Sequence, residues 1–109
     1  MDGPRAPVIL CVDDDKVTMR GLERALVNNG YSVLTAASAA QALTTLQHAK
    51  PDLILLDAII PDMDGYEICR RVRSNPALAN VPVIFVTAQE EGEDTNRALS
   101  LGAVDYLIK

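Results

Sequence analysis

At 109 residues, 49% apolar and 23% charged, the chain has the size and balance of one globular domain built on a single core. A formal charge of −5 disfavours direct contact with nucleic acid, whose phosphates select basic surfaces, and suits an acidic, cation-binding cleft. No apolar run approaches the roughly 20 residues that span a bilayer and no signal peptide opens the chain, so a soluble, cytoplasmic domain without membrane contact is expected.

Residues 1–7, M-D-G-P-R-A-P, read as a flexible lead-in. Val8 to Val12, V-I-L-C-V, is a β-branched apolar run that breaks into Asp13, Asp14 and Asp15, which predicts a first buried strand. Lys16 to Asn29 carries Thr18, Leu22, Ala25 and Leu26 at helical spacing, with Asn28, Asn29 and Gly30 as its stop. Tyr31 to Ala36 is a second strand. Ser38, with Gln41 three residues on, is a capping-box signature that opens a helix with Ala39, Ala42, Leu43 and Leu46 inward, ending before Pro51.

Asp52 to Asp57 is the third strand, a continuous Leu/Ile run expected to be covered on both faces and to end abruptly in a carboxylate. Asp64 with Glu67 repeats the capping pattern for a helix buried through Ile68, Cys69 and Val72, and Ser74 to Val81 is its polar exit. Pro82 to Thr87 predicts a fourth strand, Glu90 to Leu101 a fourth helix closed by Gly102, and Val104 to Ile108 a fifth strand before Lys109. Strands alternating with helices imply right-handed crossovers and a parallel sheet covered on both faces, in one domain without repeats or linkers.

In such sheets the ligand crevice lies beyond the carboxyl ends of the strands. Those ends deliver Asp13 and Asp14, Asp57, Thr87 and Lys109, which converge although they are scattered in sequence. Two unit charges about 4 Å apart repel by roughly 1 kcal/mol in water and roughly 4 at an effective dielectric near 20, so clustered carboxylates need a cation. Hard oxygen donors with open positions suit Mg2+. A metal-bridged carboxylate beside a lysine and a hydroxyl is what aspartyl-phosphate chemistry requires: Asp57 as nucleophile, Mg2+ and Lys109 offsetting phosphoryl charge, and Thr87 donating to one oxygen.

Four motifs, V-D-D-D at 12–15, L-L-D-A-I-I-P-D-M-D-G at 55–65, V-T-A at 86–88 and G-A-V-D-Y-L-I-K at 102–109, together resemble the receiver domains of two-component response regulators over nearly the whole chain. The resemblance implies a flavodoxin-like, doubly wound, three-layer sheet of order 2-1-3-4-5. It implies that Asp57 is the phosphoacceptor, that Asp14 is a direct Mg2+ ligand with Asp13 placing a metal water, and that the backbone carbonyl of Ile59 is a further ligand. It makes Thr87 and Tyr106 a switch pair and Lys109 a phosphoryl contact. The implied partners are a sensor histidine kinase or phosphotransfer protein upstream and an output domain or effector downstream. The domain is then a regulatory phosphoacceptor whose only chemistry is its own phosphotransfer and slow dephosphorylation.

Two departures from the family stand out. The family lysine is followed by a proline and a fifth helix, whereas the sequence stops at Lys109, which predicts partly bare first, third and fifth strands and either a truncated chain or a homodimer or partner over that face. Positions two past the acceptor and two past the switch hydroxyl, often polar in the family, are Ile59 and Gln89, and an apolar Ile59 predicts slow loss of the phosphoryl group.

Other classes need different residues. A haloacid-dehalogenase-type hydrolase needs a second acid where Ile59 stands, and a flavin or nucleotide module needs a phosphate-cradling loop where three aspartates stand. Among the remaining polar residues, Asp15, Asp62 and Asp64 read as caps and turn residues, Cys11 and Cys69 as small core residues, His48 as a surface residue, and Arg70, Arg71 and Arg73 as a solvated face.

Overall fold

A computed structural model describes residues 6–57, 59–60, 62–87 and 105–108. Its strands are β1 (Val8–Val12), β2 (Ser32–Ala36), β3 (Leu53–Leu56), β4 (Ile59–Ile60), β5 (Met63–Asp64), β6 (Val83–Thr87) and β7 (Asp105–Ile108), and its helices are α1 (Lys16–Asn28), α2 (Ala39–His48) and α3 (Gly65–Ser74). Among the described residues β2-β1-β3-β6-β7 form a five-stranded sheet, all pairs parallel, which is the expected 2-1-3-4-5 order. The fourth helix expected over 90–101, with Gly102 and Lys109, lies outside the described residues. No helix among those described is long and apolar enough to cross a membrane.

The alternation along β1 splits the core in two. Leu10 and Val12 face a large cluster with Ile54, Leu56, Val83 and Phe85 under α2 and α3, whereas Ile9 and Cys11 face a smaller one with Met19 under α1. The result is three layers, helix on sheet on helix. Two expectations for the α1 side need correction. β1 is not bare, since Ile9 and Cys11 are buried against α1. β3 is not buried on both faces: Ile54 and Leu56 are fully covered, while Leu53 and Leu55 on the α1 side are half-buried.

The boundaries follow local chemistry. Asp15 caps α1 by accepting from the Val17 amide at 3.1 Å and the Thr18 hydroxyl at 2.6 Å. Spending Thr18 on the cap rotates the inward stripe to Met19, Leu22 and Leu26, so Met19 is buried and Ala25, expected inside, is exposed. Gly30, at φ +91°, closes α1: its amide returns to the Val27 carbonyl and that of Tyr31 to Leu26, a Schellman ending that a left-handed glycine permits. Tyr31 is thereby used in the helix stop, and β2 begins one residue later than expected. Pro7, expected in the flexible lead-in, is instead tied to β2 through the Ser32 amide at 2.9 Å.

At the start of α2 the Gln41 amide donates to the Ser38 hydroxyl at 3.1 Å, as in a capping box, while the Gln41 side chain accepts from the amide of Ala37, one residue before the cap, at 2.8 Å. Asp64, expected as the α3 cap, lies in β5 with its backbone paired to Ile59, and its side chain lies outside the described residues. The antiparallel β4–β5 pair is a further feature with no signal in the periodicity. In α3, Tyr66, Ile68, Cys69 and Val72 are buried. The exit from α3 is less polar than expected, since Leu78 and Val81 join the core. The arginines are not merely solvated: Arg70 and Arg71 pair with Glu67 at 2.8 and 3.3 Å, and Arg73 donates to the Ala79 carbonyl at 2.9 Å.

Candidate functional site

Among the described residues, the strand-end positions singled out in the sequence, 13, 14, 57 and 87, owe their place to the sheet register. β1 and β3 are neighbours, and the ladder continues past both strand ends: the Asp57 amide donates to the Val12 carbonyl at 2.9 Å, and the Asp13 amide to Ala36 at 3.1 Å. The backbones of both acids are therefore held as firmly as the strands themselves. Asp13 is further oriented by the Asp15 amide, which donates to its Oδ1 at 2.9 Å.

This framework brings Asp13, Asp14 and Asp57 together, with one carboxylate oxygen of each within 4.8 Å of the others. Asp13 and Asp57 are only 4% and 6% exposed, and Asp14 is open to solvent. Buried carboxylates at this spacing repel strongly, and their hard oxygen donors are the set that a divalent cation such as Mg2+ takes. The cluster could hold a metal ion, with Asp14 on the solvent side as the point of entry. Beside it, a cleft of about 180 Å³ is lined by Asp13, Met19, Thr35 and Gln41, with Lys16 and Arg20 placing positive charge at its rim.

Thr87 closes β6, the strand next to β3, so its backbone lies at the same end of the sheet. The register pairs Thr87 with Ile108 and Phe85 with Tyr106, which sets Thr87 and Tyr106 on neighbouring strands two positions apart. Ile59 follows Asp57 by two residues and has its backbone in β4, paired with Asp64. The side chains of Thr87, Tyr106 and Ile59, and the whole of Lys109, lie outside the described residues.

Sequence reasoning read Asp62 as a turn and cap residue, and it is both, although the helix it caps is a distant one. Its Oδ1 accepts from the Ala39 amide at 2.9 Å and its Oδ2 from the Ala40 amide at 3.0 Å, so it serves the start of α2 from across the molecule. These two bonds, Ala39 first, hold the Asp62 carboxyl below the usual carboxylate value. The available signal was a deficit: Ser38 reaches only the third amide of α2, which left the first two in need of an acceptor. Elsewhere the bland readings stand. Asp15 is a cap, Cys11 and Cys69 are buried small residues outside any disulfide, and His48 is an exposed residue in the last turn of α2.

A family model described as the response regulator receiver domain matches residues 9–109. The transcriptional regulatory protein AfsQ1 of Streptomyces coelicolor is 40% identical over 103 residues, which are 94% of this chain and 44% of that protein. The response regulator PleD of Caulobacter vibrioides is 39% identical over 101 residues, 93% of this chain and 22% of that one. The chain thus spans less than half the length of these curated relatives. Among solved structures, a putative response regulator from Chloroflexus aurantiacus superposes with a TM-score of 0.91 at 36% identity, covering 96% of this chain and 86% of that one. The chemotaxis protein CheY4 of Vibrio cholerae does so at 0.90 and 30% identity, covering 95% and 87%.

Proposed function

The chain belongs to the response regulator receiver domain family, a phosphoacceptor signalling switch, and from that premise we propose that Asp57 is the residue that accepts the phosphoryl group. The observation that carries this reading is the meeting of Asp57 with Asp13 and Asp14 within 4.8 Å, at the carboxyl ends of two neighbouring strands. Asp57 attacks phosphorus through a carboxylate oxygen, and the step calls on no separate base. The bond from phosphorus to the donor breaks as the new P–O bond forms. The electron pair leaves with the donor group, an acyl carboxylate or the imidazole of a phosphohistidine.

Mg2+, when bound, supplies charge that offsets the phosphoryl oxygens and the acids together. Asp14 would hold it directly, with Asp57 and the Ile59 carbonyl, and Asp13 would orient a water beside it. Thr87 donates its hydroxyl to the phosphoryl group, Lys109 adds a positive charge, and Tyr106 follows the movement of Thr87. Lys16 and Arg20, at the rim of the neighbouring cleft, favour the approach of an anionic donor. The donor is a histidine kinase, a phosphotransfer protein or a small acyl phosphate, and the reader is an output domain or effector protein. On this reading the domain regulates and does not turn over a substrate of its own.

Incubation with Mg2+ and acetyl phosphate, followed by intact mass and peptide mapping, tests the assignment. One phosphoryl group on Asp57 is expected, lost in Asp57→Asn. Label on another residue, or no label in the presence of Mg2+, refutes it.

A further inference from the structure

The start of α2 is completed by a residue from a distant turn. Its third amide is taken by Ser38, but its first two, Ala39 and Ala40, are taken by the two carboxylate oxygens of Asp62, at 2.9 and 3.0 Å. Asp62 lies between β4 and β5, in the short hairpin that follows Asp57. That hairpin is anchored on one side by Ile60, which is 6% exposed and part of the large core cluster. Asp62 anchors its other side. Two charge-assisted bonds with different acceptor oxygens fix both the position and the rotation of the turn, which a single bond would not.

The first residue of the hairpin is Ile59, whose backbone is paired with Asp64. We propose that Asp62 is a positioning residue for cation binding: by clamping the hairpin to α2, it holds the Ile59 backbone at the height of the Asp13, Asp14 and Asp57 cluster. The inference deepens the phosphoacceptor reading and rests on it, since the Ile59 carbonyl is taken there as a metal ligand. Outer residues that orient a ligand commonly govern metal affinity without touching the ion. Coupling is reciprocal, so a cation that draws the Ile59 carbonyl toward the acids also tightens the clamp on Ala39 and Ala40.

The test compares Mg2+ binding, by calorimetry, in the whole chain and three variants, with urea unfolding and amide exchange alongside. Asp62→Ala is expected to weaken Mg2+ about tenfold, the lower end of what loss of an orienting residue costs. Asp62→Asn keeps one acceptor oxygen and falls between. Ser38→Ala removes the local cap of the same helix and lowers the urea midpoint, yet leaves Mg2+ affinity as it was, which a purely stabilising role for Asp62 does not predict. In the unaltered chain Mg2+ slows exchange of the Ala39 and Ala40 amides. Wild-type affinity in Asp62→Ala, or equal weakening in Ser38→Ala, overturns the proposal. Asp57 labelling and Mg2+ binding by the unaltered chain show separately that the phosphoacceptor reading stands; a chain that binds no Mg2+ brings down both.

Discussion

The carboxylates of Asp13 and Asp57 stand at the ends of adjacent strands, both almost fully buried, with oxygens within 4.8 Å of each other. At that separation two unit charges repel by about 3.5 kcal/mol at an effective dielectric near 20, and Asp14 adds to it. Repulsion between these acids is what a bound cation would offset. Asp57→Asn relieves it and, with the metal chelated, is expected to raise unfolding free energy by about 1 to 2 kcal/mol, because water and relaxation absorb much of the gross figure. Mg2+ at a hundredfold excess over its Kd adds about 2.7 kcal/mol to the unaltered chain and little to the variant, so the order of their urea midpoints reverses. A variant less stable than the parent in chelator would show that the acids do not strain the fold.

The turn after β1 separates two roles in consecutive residues. Asp14 belongs to the acid cluster, whereas Asp15 turns to the Val17 amide and the Thr18 hydroxyl. Asp15→Ala is expected to cost about 1 kcal/mol, the usual loss of an N-cap, while Mg2+ affinity stays unchanged. Urea unfolding and a calorimetric Mg2+ titration of the same sample read both quantities. Loss of Mg2+ binding with unaltered stability would make Asp15 a ligand instead.

How much of this was legible in the sequence depends on whether the cause was local. The strands were plain because β1, β3 and β6 are continuous apolar runs, and the candidate site was plain because Asp13, Asp14 and Asp57 follow strands directly. Met19 was missed in favour of Ala25 because the Asp15 cap sets the phase of α1, and a small rotation exchanges one stripe for another. The burial of β1 was misjudged because Met19, Leu22 and Leu26 of α1 pack in one cluster with Ile9 and Cys11. The Asp62 clamp left only the unfilled first amides of α2 as a trace, because its partners are backbone amides 22 and 23 residues away, which carry no side-chain signature.

Cys11 gives the fold an alkaline limit. Its thiol lies fully buried in β1 beneath α1, and burial first, then the charges of Glu23 and Asp13, push its pKa up to about 11 from 9.0. Below the unfolded value both states hold the proton, and the stabilisation is present in full. Between there and about 11 only the unfolded chain releases it, so stability falls as pH rises through that window. Cys11→Ala loses a little packing near neutral pH but shows a shallower decline in urea midpoint between about pH 9 and about pH 11. Parallel declines in the two proteins would show that the thiol ionises equally readily when folded.

On the reading that Asp57 is the phosphoacceptor, we propose that Ile59, two residues past it, sets the lifetime of the phosphoryl group. Hydrolysis requires a water in line with the new P–O bond, opposite the Asp57 oxygen, and a polar side chain nearby can hold it there. Ile59 contributes an apolar side chain at that position in the sequence, and with it only a backbone carbonyl for the cation. Ile59→Asn keeps the carbonyl and adds an amide, so Mg2+ affinity and labelling of Asp57 should persist while the phosphoryl group is lost roughly tenfold faster. That is less than a full general base achieves, because an amide orients water without taking its proton. Following the decay of the phosphorylated mass after removal of acetyl phosphate measures the lifetime. Equal lifetimes in the two proteins would mean that water reaches phosphorus by a route that Ile59 does not govern.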